Sequence, residues 1–231
     1  MTSTELKNFL SAHPTSKVKI AFTDIDGILR GKYISTEKFL SILDKGTTFC
    51  DVVFGWDAAD VLYSEGKKTG WHTGFPDTPA QLDLSTFRQI PWENNLPFVL
   101  GDFLEQDGTP SSVCPRQLLK KIISEAQELN FTPIFAQEFE WFNFAETPDS
   151  AQEKQYKNLK PLSPGMFGYS VLRTTLNNPF FDDLFEHLKA FHVPIEGLHT
   201  ETGPGTYEAA IAHSGALEAA DRAVLFKTAV K

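Results

Sequence analysis

Two stretches hold most of the side chains that could do chemistry. In "AQEFEWFNF", residues 136–144, Glu138 and Glu140 stand one residue apart among phenylalanine and tryptophan. In "HTETGPGTYE", residues 199–208, His199, Glu201, Thr206 and Glu208 flank a Gly-Pro-Gly turn sequence. An aromatic strand belongs in a core, and a carboxylate there is costly unless something compensates its charge. The question is what two acids do in such a strand.

Side chains alternate along a strand, so Glu138 and Glu140 share one face while Phe139 and Trp141 share the other. Two like charges about 7 Å apart repel, and both stay ionised only if cations lie between them. If residues 202–205 form the turn of the second stretch, Glu201 faces Thr206 and His199 faces Glu208. One face of that hairpin then presents all four. Four glutamates with one imidazole and no cysteine form a hard-oxygen donor set, better suited to Mg²⁺ or Mn²⁺ than to zinc. Glutamate pairs on a solvated sheet face are commoner than metal sites, so the E-x-E spacing does not decide by itself. A metal-dependent hydrolase would share the carboxylates, yet no nucleophile motif accompanies them. His72 and His213 read as surface or packing residues, and a lone tyrosine such as Tyr169 reads as core.

The composition narrows the classes. A chain of 231 residues fits one large or two modest domains, and 41% hydrophobic content with 20 phenylalanines predicts a filled core. A formal net charge of −9 argues against binding nucleic acid through a positive field. No apolar run approaches the ~20 residues of a membrane helix, and "MTSTELKNFLSAHPTSK" lacks the basic start and apolar run of a secretory signal. A cytoplasmic setting is the expectation. Cys50 and Cys114 sit far apart in no CxxC spacing and read as reduced thiols.

The elements that must position the acids follow from pattern. Thr2 or Ser3 caps a first helix carrying Leu6, Phe9 and Leu10. "KVKIAFTDIDGILRGKYIS" predicts a hairpin with a two-residue type I′ turn at Asp26-Gly27. Ser35 caps a second helix, and "TFCDVVFGW" predicts a strand. Residues 56–97 read as ordered loop with short strands, before a strand in "PFVLGDFLEQDGTP". Pro115 opens a helix with Leu118, Leu119, Ile122, Ile123, Ala126 and Leu129 at helical spacing. "FTPIFAQEFEWFNF" and "GYSVLRTTL" read as strands, "PFFDDLFEHLKAF" as a helix, and 146–165 as a surface excursion. "VPIEGLHTE" and "TYEAAIAH" are strands about the turn, and Ser214 caps the last helix, which meets no glycine stop before Lys231. Hairpins first and interleaved helices afterwards predict an α+β chain with a boundary near residue 105.

Taken in order, these segments resemble the glutamine synthetase family. "FTDIDGILRGKYI" is similar to its N-terminal β-grasp hairpin, and "PDTPAQLDLSTFRQIPWE" to its P-D…T…P-W segment. "DGTPSSVCPRQLLKK" resembles the lead-in to the first catalytic-domain helix, and "AADRAVLFKTAVK" the A-A-D…K helix. "AQEFEWFNF" matches the E-x-E-F strand, and "HTETGPGTYE" the E-x-G-P-G-Q-x-E hairpin, with Thr206 in place of its glutamine. The resemblance implies a β-grasp-like domain over 16–104, and the first half of an antiparallel-sheet catalytic domain over 105–231. It implies that Glu138, Glu140, Glu201 and Glu208 ligate two Mg²⁺ or Mn²⁺ ions, with His199, Thr206 and Tyr169 lining the site. The implied reaction joins ammonia or an amine to the γ-carboxylate of glutamate, with ATP as co-substrate and a γ-glutamyl phosphate between. A homo-oligomeric ring is implied for the complete form; a non-catalytic ring-forming scaffold is the alternative. Family members continue past this sequence's last residue, so the chain is expected to lack further ligands and the arginines for amino acid and phosphate. "WDAADVLYSEGKKTGW" stands where the family carries an acidic Asp-Gly-Ser-Ser type segment, which leaves room for an amine larger than ammonia.

Overall fold

The computed structural model describes residues Met1–Lys231. Its secondary structure is mixed α+β, in two compact units. The first comprises residues 1–133 with 215–229, the second 134–214.

In the first unit, helix α1 (Ser3–Ala12) starts at a capping box in which Thr2 and Glu5 satisfy each other's backbone amides. Strands β1 (Lys17–Thr23) and β2 (Leu29–Ser35) form the expected hairpin, and Ser35 caps α2 (Thr36–Ile42). Strands β3 (Thr47–Cys50), β4 (Asp77–Ile90) and β5 (Leu96–Phe103) complete a five-stranded sheet ordered β2-β1-β5-β4-β3. Only the β1–β5 pair is parallel. Val18, Ile20 and Phe22 of β1 meet Leu6 and Leu10 of α1 and Phe39 of α2 in one core. Phe22, Phe49, Phe54 and Phe103 form an aromatic cluster within it, with ring centroids 4.8–6.2 Å apart. Both cysteines are free thiols, Cys114 buried.

The strand expected over residues 48–56 stops at Cys50, and a 3₁₀ turn (Asp51–Phe54) follows. Two further expectations in this unit need correction. The hairpin turn is not type I′: only Gly27 has positive φ, at 69°, and the Gly27 amide donates to the Asp24 carbonyl. That makes a three-residue loop of Ile25, Asp26 and Gly27. Asp24 is the cause. Its buried carboxylate accepts the amides of Asp26 and Ile28 and the Arg30 Nε at 2.8–3.0 Å, which stabilises the longer loop. The second correction is β4, a 14-residue strand where mostly loop was expected. Its register shifts between Asp83 and Arg88, so its side-chain alternation is broken midway and leaves no period to read. Thr86 repairs the break, its hydroxyl accepting the Leu100 amide at 2.8 Å.

Helices α3 (Pro115–Glu128) and, after strand β10 (Ser214–Gly215), α7 (Ala216–Ala229) join this sheet through buried charge. The contact boundary therefore falls after residue 133 rather than near 105. Arg116, 5% exposed, grips Asp221 of α7 with Nε and Nη2, both at 2.7 Å. Its Nη1 reaches Asp102 of β5 at 2.9 Å and Asp83 of β4 at 3.0 Å. Lys120, one turn on, bonds the same two aspartates. Burial alone would lift Asp83, but Ser85, Arg116 and Lys120 hold it well below the usual carboxylate range. Ser214, expected to cap α7, has a buried hydroxyl without a hydrogen-bond partner, and the helix starts two residues later.

In the second unit, β7 (Glu138–Phe142), β9 (Thr206–Ile211) and β8 (Ile195–Thr200) form an antiparallel sheet with β9 central. A two-residue strand, β6 (Ile134–Phe135), precedes it. Helix α4 (Pro148–Glu153), capped by Thr147, lies in the 146–165 excursion. There Glu146 accepts from Lys154, Ser150 and the Lys160 amide, which pulls its carboxyl down to about 2. Helix α6 (Asn178–Ala190) buries Phe181, Leu184 and Leu188. "GYSVLRTTL", expected as a strand, holds helix α5 (Val171–Leu176). Ser170 caps it, and the Thr174 and Thr175 hydroxyls return to the Val171 carbonyl, local bonds that compete with strand pairing. No helix of the chain is long and apolar enough to cross a membrane.

The Arg116 cluster yields a first prediction. Arg116→Leu strands three carboxylates around an apolar side chain and should cost about 3–5 kcal/mol in urea unfolding, while Arg116→Lys should cost less. Because Asp83 is depressed, its contribution to stability is present above the unfolded carboxylate pKa, about 4, and is lost as pH falls below it. Arg116→Leu should flatten that acid limb of the Tm–pH curve.

Candidate functional site

The carboxylate face is set by strand register in the second unit. Glu140 lies opposite Glu208, and Glu208 opposite His199, so the three form one row across β7, β9 and β8. The next row is Phe142, Thr206 and Glu201, the last held by its amide donating to the Thr206 carbonyl at 2.9 Å. Glu138 pairs with Ala210 one row in the other direction. The expected facing of Glu201 with Thr206 and of His199 with Glu208 is therefore what the hairpin adopts. The opposite face carries Trp141 and Tyr207 against Phe180 and Phe181.

Three donors converge. Ligand atoms of His199, Glu201 and Glu208 lie within 4.8 Å of one another, with His199 Nδ1 3.8 Å from Glu201 and Nε2 4.0 Å from Glu208. Opposed oxygens around a hard divalent ion stand about 4–5 Å apart, so the separations in this trio are of the order such an ion spans. Glu138 and Glu140 lie on the same face but are solvent-exposed and outside that tight trio. Their charge still reaches it: partial burial first, then Glu138, Glu140 and Glu201, push the Glu208 carboxyl up, with His199 opposing.

The turn holds the two acids in place. Gly205 has φ 70°, and a Cβ there would stand 2.5 Å from the Asn143 carbonyl, which closes β7 onto the turn. Asn143 in return donates its amide to the Gly205 carbonyl at 2.8 Å. Glu201 accepts the Thr202 amide at 2.7 Å. Thr206 is buried with its hydroxyl unpartnered, and Tyr169, which as a lone tyrosine reads as core and by the resemblance lines the site, is exposed with its ring stacked on His199 at 4.2 Å. Spacing gave no weight to Thr200, because it falls on the face opposite His199.

Known proteins resemble the chain along most of its length. A family model for the glutamine synthetase catalytic domain matches residues 112–231. Type-1 glutamine synthetase 2 of Dictyostelium discoideum is 56% identical over 93% of this chain and 41% of its own length. A glutamate–isopropylamine ligase of Pseudomonas sp is 32% identical over 98% of this chain and 50% of its own. The solved structure of apo GmaS without ligand superposes with a TM-score of 0.78 over 99% of this chain and 49% of that one, at 20% identity. The chain belongs to the glutamine synthetase family. It spans about half the length of the curated relatives it matches.

A metal experiment follows from the row. Mg²⁺ or Mn²⁺ should bind in the high micromolar to millimolar range and raise Tm by mass action, since the unfolded chain gathers no such cluster. The double variant Glu138→Gln/Glu208→Gln should lose most of that rise and be as stable as the parent, or slightly more so, without metal. Because the folded pKa of Glu208 is raised, its ionisation costs stability progressively as pH climbs through that pKa, and the variant's advantage should widen there. A destabilised double variant that still responds to Mg²⁺ would make these glutamates structural.

Proposed function

We propose that this chain carries the cation-binding half-site of an ATP-dependent carboxylate–amine ligase. The reaction joins ammonia or an amine to the γ-carboxylate of glutamate through a γ-glutamyl phosphate. The observation that carries this reading is the Glu140–Glu208–His199 row with Glu201 beside it, in a glutamine synthetase family chain. Glu138, Glu140, Glu201 and Glu208 would hold Mg²⁺ or Mn²⁺, with His199, Thr206 and Tyr169 lining the site. When bound, the ions neutralise charge on the transferring phosphoryl group. The chain's own part is to gather the acids on a rigid sheet face, where their repulsion primes them for a cation. The matched relatives' names include both a glutamine synthetase and an isopropylamine ligase, which supports a choice among amines rather than ammonia alone. Assembly into a homo-oligomeric ring belongs to the same reading.

The test is phosphate release from ATP with glutamate, on the full reading frame, against ammonia and a panel of alkylamines and diamines. Release should depend on both glutamate and one amine class, and Glu208→Gln should reduce it by at least 100-fold, roughly the loss of a metal-held phosphoryl contact. No release with any amine would overturn the reading in favour of a fold-keeping assembly protein.

A further inference from the structure

A cavity of about 640 Å³ opens in the first unit between the end of α1 and the β4–β5 turn. That volume is in the range of small-molecule sites, roughly 300–1,000 Å³. It shares no residue with the carboxylate row, and Phe9, His13, Lys17, Glu93, Asn94 and Asn95 carry its chemistry. Glu93 is the only acid in the lining, and it is already engaged. One of its oxygens takes the Lys19 ammonium, and the other takes the Tyr33 hydroxyl at 2.8 Å. Burial alone would raise the Glu93 carboxyl, but Lys19 and Tyr33 hold it below the usual carboxylate range. Lys17 and Lys19 both stand over the Tyr33 ring, 4.3 and 4.8 Å from its centroid. Two ammonium groups thus share one ring and one carboxylate, and Lys19 holds the carboxylate. Lys17 is the surplus charge, exposed at the cavity.

The other polar groups are fixed without being used up. His13 Nδ1 lies 3.1 Å from the Phe9 carbonyl. A carbonyl only accepts, so Nδ1 carries a proton and Nε2 is left open. The imidazole stacks on the Phe9 ring at 4.5 Å, and Phe9 meets Phe87 edge-on at 5.2 Å, so the pair forms a flat wall. Asn94 and Asn95 are consecutive left-handed residues, at φ 54° and 56°, and Gln89 Nε2 donates to the Asn95 carbonyl at 3.1 Å. That bond fastens the turn through its backbone and leaves both carboxamides, each with two N–H donors, free.

We propose that this cavity binds a small organic anion, one carboxylate or phosphate group carried on a flat ring. The Lys17 ammonium takes the anionic group, the Asn94 and Asn95 carboxamides bond its remaining oxygens, and the ring lies on the Phe9–His13 wall. The chain's net charge of −9 repels anions at long range, so an anion here is held by these local donors. Saturation-transfer NMR on the protein from the full reading frame tests this with benzoate and phenyl phosphate. Both should bind saturably, and the tighter of the two names the anionic group. Benzamide keeps the ring without the charge, and acetate and methyl phosphate keep the charge without the ring; each should bind about five-fold more weakly. Lys17→Met should weaken the ring-bearing anions roughly five-fold, while Lys17→Arg keeps them. Lys17 is exposed, so its replacement spares the core. His13→Ala should remove the preference for a ring. Glu208→Gln, in the carboxylate row, should bind the probes like the parent. The proposal is overturned if no probe binds saturably, if benzamide binds as tightly as benzoate, or if Lys17→Met binds like the parent. Loss of binding in Glu208→Gln would also overturn it, by placing the anion at the carboxylate row.

Discussion

The burial of Tyr207 is the constraint on which the site depends. Its side chain is wholly buried among Trp141, Phe180 and Phe181. Side chains alternate along a strand, so burying Tyr207 turns Thr206 and Glu208 to the other face, and a slip of one residue would put a glutamate into the aromatic layer. The register so fixed sets Glu208 between Glu140 and His199. The aromatic residues around the acids are therefore the reason the acids stay where they are. Apolar packing on one face holds like charges together on the other.

Both units manage concentrated carboxylates, in opposite ways. In the first, Asp83, Asp102 and Asp221 are neutralised by Arg116 and Lys120, whose donors fill their lone pairs. That cluster is closed, and its role is to fasten α3 and α7 to β4 and β5. In the second, Glu138, Glu140, Glu201 and Glu208 gather about one imidazole, and partial burial first, then the neighbouring glutamates, raise the Glu208 carboxyl. A pair of like charges about 7 Å apart costs about 2 kcal/mol at an effective dielectric near 20. An acid cluster left without internal cations is one that an external cation can stabilise.

The pattern of Glu138, Glu140, Glu201 and Glu208 was legible because strand alternation is a property of the backbone, and a short Gly-Pro-Gly turn fixes which residues face each other. The capped helices at Thr2 and Ser35 were legible for a similar reason, since each cap is a local hydrogen bond. Elements whose form depends on distant partners were not. The bulge in β4 erases its period, and Thr86 repairs it through Leu100, fourteen residues away. Residues 171–176 look β-branched enough for a strand, yet the Ser170 cap and local hydroxyl bonds settle the helix.

By itself, then, the sequence determined an α+β chain of the glutamine synthetase family and the face on which its acids gather. Both follow from short-range periodicity and motif order. Only the tertiary structure decided that Arg116 joins two helices to a sheet, that Glu138 and Glu140 stand outside the tight trio, and that Thr200 holds Tyr169 against His199. Those are contacts between residues 14 to 105 positions apart. Spacing along a chain says which way a side chain points within its own element, whereas the partner it meets is set by where the other elements pack.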